Sequence, residues 1–163
     1  MEDFESFYNK YKIKLFSYLI RISGDYDLAM DILQDSFTRY FEKYGKKTRN
    51  VPLLYTIARN CFLDHKRKSA RDLSLEYSTE KDHEDPSRNQ GEMFQIKQEY
   101  RRVLSAMEKL EDDEREILSL VITENLNYRE IASLVGVTEA NIKVKVHRAR
   151  VKMKKILKTG DFS

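Results

Sequence analysis

A chain of 163 residues has room for one medium domain or two small ones, and at 35% charged and 40% hydrophobic it can stay soluble around modest cores. No run is apolar and long enough to span a membrane, no signal-peptide core opens the N-terminus, and one cysteine excludes an internal disulfide, which fits a reducing cytoplasm. The net charge of +3 hides a segregation: 1–37 sums to −3, 38–71 to +8, 72–91 to −4, 92–137 to −4 and 138–158 to +7. Two basic blocks between acidic ones suit a chain with two separate polyanion sites and other surfaces for a different partner.

Two prolines, five glycines and few alternating apolar stretches predict an all-α protein. Phe4, Phe7, Tyr8, Tyr11, Leu15, Phe16, Leu19 and Ile20 recur at helical spacing, and Gly24-Asp25 ends that helix. A second helix starts at Asp25 or Tyr26 and buries Leu28, Ala29, Ile32, Leu33, Phe37, Tyr40 and Phe41. Its other face carries Asp27, Asp31, Gln34 and Asp35. Gly45 to Asn50 reads as a loop, and Pro52 suits the first turn of a helix from about Leu53 to Lys68 that buries Leu54, Ile57, Ala58, Cys61 and Phe62. From Ser69 to Gly91 the apolar pattern fades into a polar, acidic stretch, the expected flexible linker and domain boundary. Helices are predicted again over Met93–Leu110 and Asp112–Thr123, with Glu124-Asn125 as the following turn and Asn125 as the residue that tolerates a left-handed cap.

The most informative stretch is Asn127 to Leu157. Asn127 can cap a helix whose third residue, Glu130, reaches back to it. Gly136 ends that helix in a left-handed turn, Val137 is expected to plug it, and Thr138 caps a second helix. There Ile142, Val146, Ala149 and Met153 form the apolar stripe. Two short helices joined by a glycine turn make a helix-turn-helix. From Asn141 to Lys158 the sequence holds Lys143, Lys145, Arg148, Arg150, Lys152, Lys154, Lys155 and Lys158 and no acid. A solvated helix face normally mixes signs, because like charges four apart repel. Cations without a counter-ion fit a polyanion partner, here DNA.

Three segments resemble a known family. Asp25 to Phe37 is similar to the polymerase-binding helix of bacterial sigma factors, Leu54 to His65 to the helix with which they read the melted promoter, and Asn127 to Arg150 to their C-terminal helix-turn-helix. Occurring in this order at this length, they resemble the extracytoplasmic-function (ECF) class. The resemblance implies two small helical domains, 1–70 (region 2) and 93–163 (region 4), joined by an acidic flexible linker over 71–92 that passes along the polymerase's RNA path.

It further implies a non-enzymatic subunit that binds core RNA polymerase and directs initiation at chosen promoters. Asp31, Gln34, Asp35 and Phe37 would meet the clamp coiled coil of the largest subunit, and the C-terminal domain the flap. Tyr44, Lys46, Lys47, Arg49, Asn50, Tyr55, Arg59, Asn60, Lys66 and Arg67 would open and read the minus-ten element. Flipped bases need an aromatic ring, amides and cations together. Lys143, Val144, His147 and Arg148 would read the minus-thirty-five element, Arg148 taking a guanine and Val144 a thymine methyl. Lys145, Arg150 and Lys152 would hold phosphates. The resemblance also implies promoter DNA and an anti-sigma factor as partners, the latter able to hold a cytoplasmic protein at the membrane, with no membrane insertion.

Other readings compete with these. A stand-alone helix-turn-helix regulator would need a dimer to read two half-sites and would leave the first basic block idle. Asp27, Asp31 and Asp35 could hold Mg²⁺ for phosphoryl chemistry, but no Gly-rich phosphate loop or general base accompanies them. Cys61 and His65 could supply two metal ligands, but two more are not evident and Cys61 sits in an apolar stripe. No metal or cofactor is therefore expected.

Overall fold

The computed structural model describes residues 4–45, 49–73 and 98–159, and all regular structure among them is helical. The seven helices are α1 (Phe4–Ser23), α2 (Tyr26–Tyr44), α3 (Val51–Leu73), α4 (Gln98–Met107), α5 (Asp112–Ile122), α6 (Tyr128–Val135) and α7 (Glu139–Thr159). They divide between two compact units, Met1–Met93 and Phe94–Ser163.

In the first unit α2 packs against both α1 and α3. The Asp25 carboxylate accepts a hydrogen bond from the Leu28 amide at 3.1 Å and so starts α2. Leu15, Phe16, Leu19 and Ile20 of α1 meet Ala29, Ile32, Leu33, Phe37 and Tyr40 of α2 and Leu54, Tyr55 and Ala58 of α3, all of them buried. Burying each large side chain contributes about 1.5–3 kcal/mol, so this shared face holds the three helices together. Ser36 lies in the same core, and its hydroxyl is satisfied by donating to the Ile32 carbonyl at 2.6 Å. Phe4, expected in the core, sits in the first turn and is 40% exposed.

The third helix is longer at both ends than its apolar pattern suggests. Asn50 caps it: its side-chain oxygen accepts from the Leu53 amide at 3.1 Å and its carbonyl from the Leu54 amide at 3.1 Å. Beyond Lys68 it continues to Leu73, because Ser69-Ala70-Arg71 contains no Gly or Pro to stop it. The linker expected over 71–92 lies outside the described residues except for the three positions that close α3, and so does the predicted start of the next helix at Met93.

In the second unit α7 packs against α4, α5 and α6. Ala106, Met107, Leu110, Leu118, Ala149 and Met153 form its core, with Val103, Ile156 and Leu157 against the edge. Arg115 fixes the α4–α5 turn: its Nε donates to the Met107 carbonyl at 2.8 Å, and its Nη2 to those of Glu108 and Leu110, both at 2.9 Å. These are carbonyls at a helix C-terminus that would otherwise lack donors.

The capping box at α6 forms as its sequence suggests. The Glu130 amide donates to Asn127 Oδ1 at 2.8 Å, and the Asn127 amide to Glu130 Oε1 at 2.9 Å. Gly136 has φ +78°, and its amide donates to the Ala132 carbonyl at 2.9 Å. The Asn141 amide donates to Thr138 Oγ1 at 3.1 Å, capping α7. Two local expectations change. The left-handed residue after α5 is Glu124, at φ +59°, and not Asn125. Val137, expected to plug the turn, is 37% exposed, while its amide donates to the same Ala132 carbonyl at 3.0 Å.

Candidate nucleic-acid interface

The glycine turn sets the exit direction of α7, and the buried stripe Ile142, Val146, Ala149 and Met153 sets its rotation. Lys143, Val144, His147 and Arg148 are therefore turned outward, on successive turns of one exposed face. Val144 is 47% and Val151 53% exposed, so both valines are available to a partner and not absorbed in the core. Arg150, Lys154, Lys155 and Lys158 are exposed along the same helix.

Two of the expected phosphate contacts are engaged within the protein. Lys145, 23% exposed, donates to Asp113 Oδ2, and Lys152 donates to Glu114 Oε1 at 2.6 Å. The cation run is thus not free of counter-ions. The acids come from the first turn of α5, which the packing brings beside α7 and which no count along α7 alone could reveal. Hydrogen bonding from Lys145 holds the Asp113 carboxyl below the usual carboxylate range, against a partial opposing effect of burial. The Glu114 side chain is only 6% exposed, and its Oε2 has no hydrogen-bond partner, so Lys152 supplies its counter-charge.

The minus-ten candidates are mixed. Tyr44 is half-buried, Arg49, Asn50 and Asn60 are exposed, and Arg59 is half-buried with part of its surface accessible. Lys66 and Arg67 are exposed, Arg67 pairing with Asp64 at 2.8 Å. Lys46 and Lys47 lie outside the described residues. Tyr55 does not reach the surface: it is fully buried, its ring 5.5 Å from that of Tyr18. Asn50 has its side-chain oxygen committed to the α3 cap, which leaves the amide nitrogen for a base edge.

On α2, Asp31, Gln34 and Asp35 are exposed and lie one helical turn apart or adjacent, a small acidic face. Phe37 leaves this set, because it is 2% exposed and its ring packs 4.8 Å from that of Tyr8 and 6.1 Å from that of Phe7. Beside the acidic face lies a groove of about 320 Å³ lined by Asp35, Arg39, Cys61, Asp64, His65, Arg67, Lys68 and Arg71. Cys61 is 2% exposed and burial pushes its thiol up, although Arg39 and a hydrogen bond with Ser36 act the other way. Among the described residues no three His, Cys, Asp or Glu side chains are placed to share a metal ion, and no helix is long and apolar enough to cross a membrane.

The chain is similar to known proteins in both sequence and fold. Residues 7–72 match the family described as sigma-70 region 2, and residues 100–153 the family described as sigma-70, region 4. Over 166 aligned residues the chain is 29% identical to the ECF RNA polymerase sigma factor SigM of Bacillus subtilis, covering 96% of each. It is 28% identical to the RNA polymerase sigma factor CarQ of Myxococcus xanthus, covering 94% of this chain and 88% of that one. In fold it is similar to the sigma factor RpoE of Bartonella quintana, solved with the anti-sigma factor NepR. That match has a TM-score of 0.73 at 23% identity and covers 95% of this chain and 96% of the other. The structure of CnrH with the cytosolic domain of CnrY matches with a TM-score of 0.66 at 19% identity, covering 96% and 88%.

Proposed function

The chain belongs to the ECF class of the sigma-70 family, and from that premise we propose how its surfaces divide the work of promoter-specific initiation. As a sigma factor it binds core RNA polymerase and directs it to promoters. The observation that carries this reading is the presence of regions 2 and 4, in order, on one chain, with one basic block inside region 2 and the other overlapping the end of region 4.

In this reading residues 1–70 dock on core polymerase and residues 93–163 reach the upstream element, the acidic stretch 71–92 joining them. The exposed acids Asp31 and Asp35, with Gln34, steer docking onto a basic surface of the clamp. Lys143, Val144, His147 and Arg148 enter the major groove at the minus-thirty-five element, with Arg150 on phosphate. Tyr44, Arg49, Asn50, Arg59, Asn60, Lys66 and Arg67 hold the melted minus-ten strand by stacking, edge hydrogen bonds and backbone contacts. The phosphodiester chemistry belongs to the polymerase, so the chain itself is non-enzymatic. RpoE and CnrH are held by NepR and CnrY, and a protein inhibitor of the same kind would restrain this chain in the cytoplasm.

Run-off transcription tests the reading. Core polymerase with the purified chain should produce a defined transcript from a cognate promoter and none without it. Tight operator binding by a dimer of the chain, with no association to core polymerase, would refute it in favour of a stand-alone regulator.

A further inference from the structure

Tyr40 lies beneath the surface that the proposed minus-ten reading uses, and it touches two parts of that surface at once. Its side chain is fully buried and its ring stacks on Phe7, with centroids 5.2 Å apart and planes 11° apart, so it is held from below. The same ring sits 5.9 Å from that of Tyr44, tilted by 46°. Its hydroxyl accepts a hydrogen bond from the Asn50 amide at 2.9 Å, ten residues away in sequence. That amide belongs to the residue whose side chain caps α3. Gly45, between Tyr44 and Asn50, takes φ +71° and ψ −175°, a backbone state open essentially to glycine alone, and its amide closes α2 on the Phe41 carbonyl at 3.0 Å.

We propose that Tyr40 is a positioning residue for single-strand capture: a buried post that sets the distance between the half-buried Tyr44 ring and the capped start of α3 at Asn50. A base stacked on Tyr44 and hydrogen-bonded at its edge needs the ring and the amide at a fixed separation. A side chain rigidly packed in the core supplies this at no ordering cost when DNA arrives. Phenylalanine at this place would keep the Phe7 and Tyr44 ring contacts and lose the tie to Asn50. The inference rests on the minus-ten reading given above.

The test uses full-length chain in complex with core polymerase and a fluorescent single strand carrying the minus-ten sequence of a promoter transcribed in the run-off assay, beside a scrambled strand. Tyr40→Phe should bind core polymerase as the wild type does and stay folded at the assay temperature, its melting midpoint falling by no more than the roughly 4–8 °C that one lost hydrogen bond costs. Its preference for the cognate over the scrambled strand should fall about 2- to 10-fold, the fold-change of one contact group that must now be ordered on binding. Tyr44→Ala, which removes the stacking ring, tests the underlying reading. If Tyr44→Ala loses the preference and Tyr40→Phe keeps it, the positioning role is overturned and the reading stands. If neither variant changes the preference, the minus-ten reading itself fails and the inference with it. A Tyr40→Phe chain that loses core binding and strand binding together marks Tyr40 as general support of the fold, which also overturns the proposal.

Discussion

Lys152 separates two roles that a basic helix can play, holding phosphate or holding its own fold. Its ammonium is half-exposed and donates to Glu114 Oε1 at 2.6 Å, while the Glu114 side chain is 6% exposed with Oε2 unmatched. Lys152→Ala would leave a buried carboxylate with neither oxygen answered. Stranding such a group costs about 1–3 kcal/mol, and the half-exposed partner keeps the figure below the roughly 3–5 kcal/mol of a fully buried pair. In a unit of this size each kcal/mol moves the melting midpoint by roughly 4–8 °C. Thermal unfolding of the full chain by circular dichroism should therefore shift by at least several degrees. Amide hydrogen exchange should assign the loss to α5 and α7.

The same variant should barely alter the salt dependence of binding to a minus-thirty-five duplex. A lysine on phosphate contributes about 0.9 to the slope of log K against log salt, or about 3.5-fold in affinity between 50 and 200 mM. Removing both partners as Glu114→Leu/Lys152→Met should restore most of the lost stability, since replacing a pair by apolar groups of similar shape is nearly neutral. A Lys152→Ala chain that melts like the wild type while its salt slope flattens by about 0.9 refutes the structural role and returns Lys152 to the phosphate backbone.

Three further outcomes follow from the geometry. Arg148→Ala should lose about 1–3 kcal/mol of discrimination between the cognate duplex and one substituted at the contacted base pair, whereas equal weakening on both would place Arg148 on phosphate. Asp113→Asn should release Lys145 and steepen the salt slope by up to about 0.9, read by fluorescence anisotropy. Because the Asp113 carboxyl is held low, its small stabilising contribution is complete above the ordinary carboxylate value of about 3.9 and fades as pH falls through the depressed one. The variant should therefore show a shallower acid limb of stability. Cys61 is buried with its thiol pushed up, so its contribution is complete below the ordinary thiol value and is lost as pH rises through the raised one. Iodoacetamide at pH 8 should modify the native chain much more slowly than the urea-unfolded chain, and equal rates would contradict the burial.

The features legible in the sequence are those closed within a few residues. The Asn127–Glu130 box, the Gly136 turn and the Asp25 cap each span no more than five positions, so residue identity and spacing determine them. The buried stripe of α7 is likewise a matter of period. What escaped the reading joins residues far apart. Lys145 and Asp113 are 32 positions apart, and Lys152 and Glu114 are 38 apart. Their pairing depends on α5 and α7 packing side by side, which no pattern within either helix encodes. Phe37 and Tyr55 fail for a related reason. Both sit in motifs whose neighbours face outward, yet a three-helix core draws in large aromatics wherever two helices converge on them. A cation count along one helix therefore measures charge and not its availability. The cations of α7 left exposed and outside the two pairs with α5 are Lys143, Arg148, Arg150, Lys154, Lys155 and Lys158, and these are the ones proposed for DNA. Along α7 no acid follows Glu139, so these six cations still present a one-sign face suited to a polyanion.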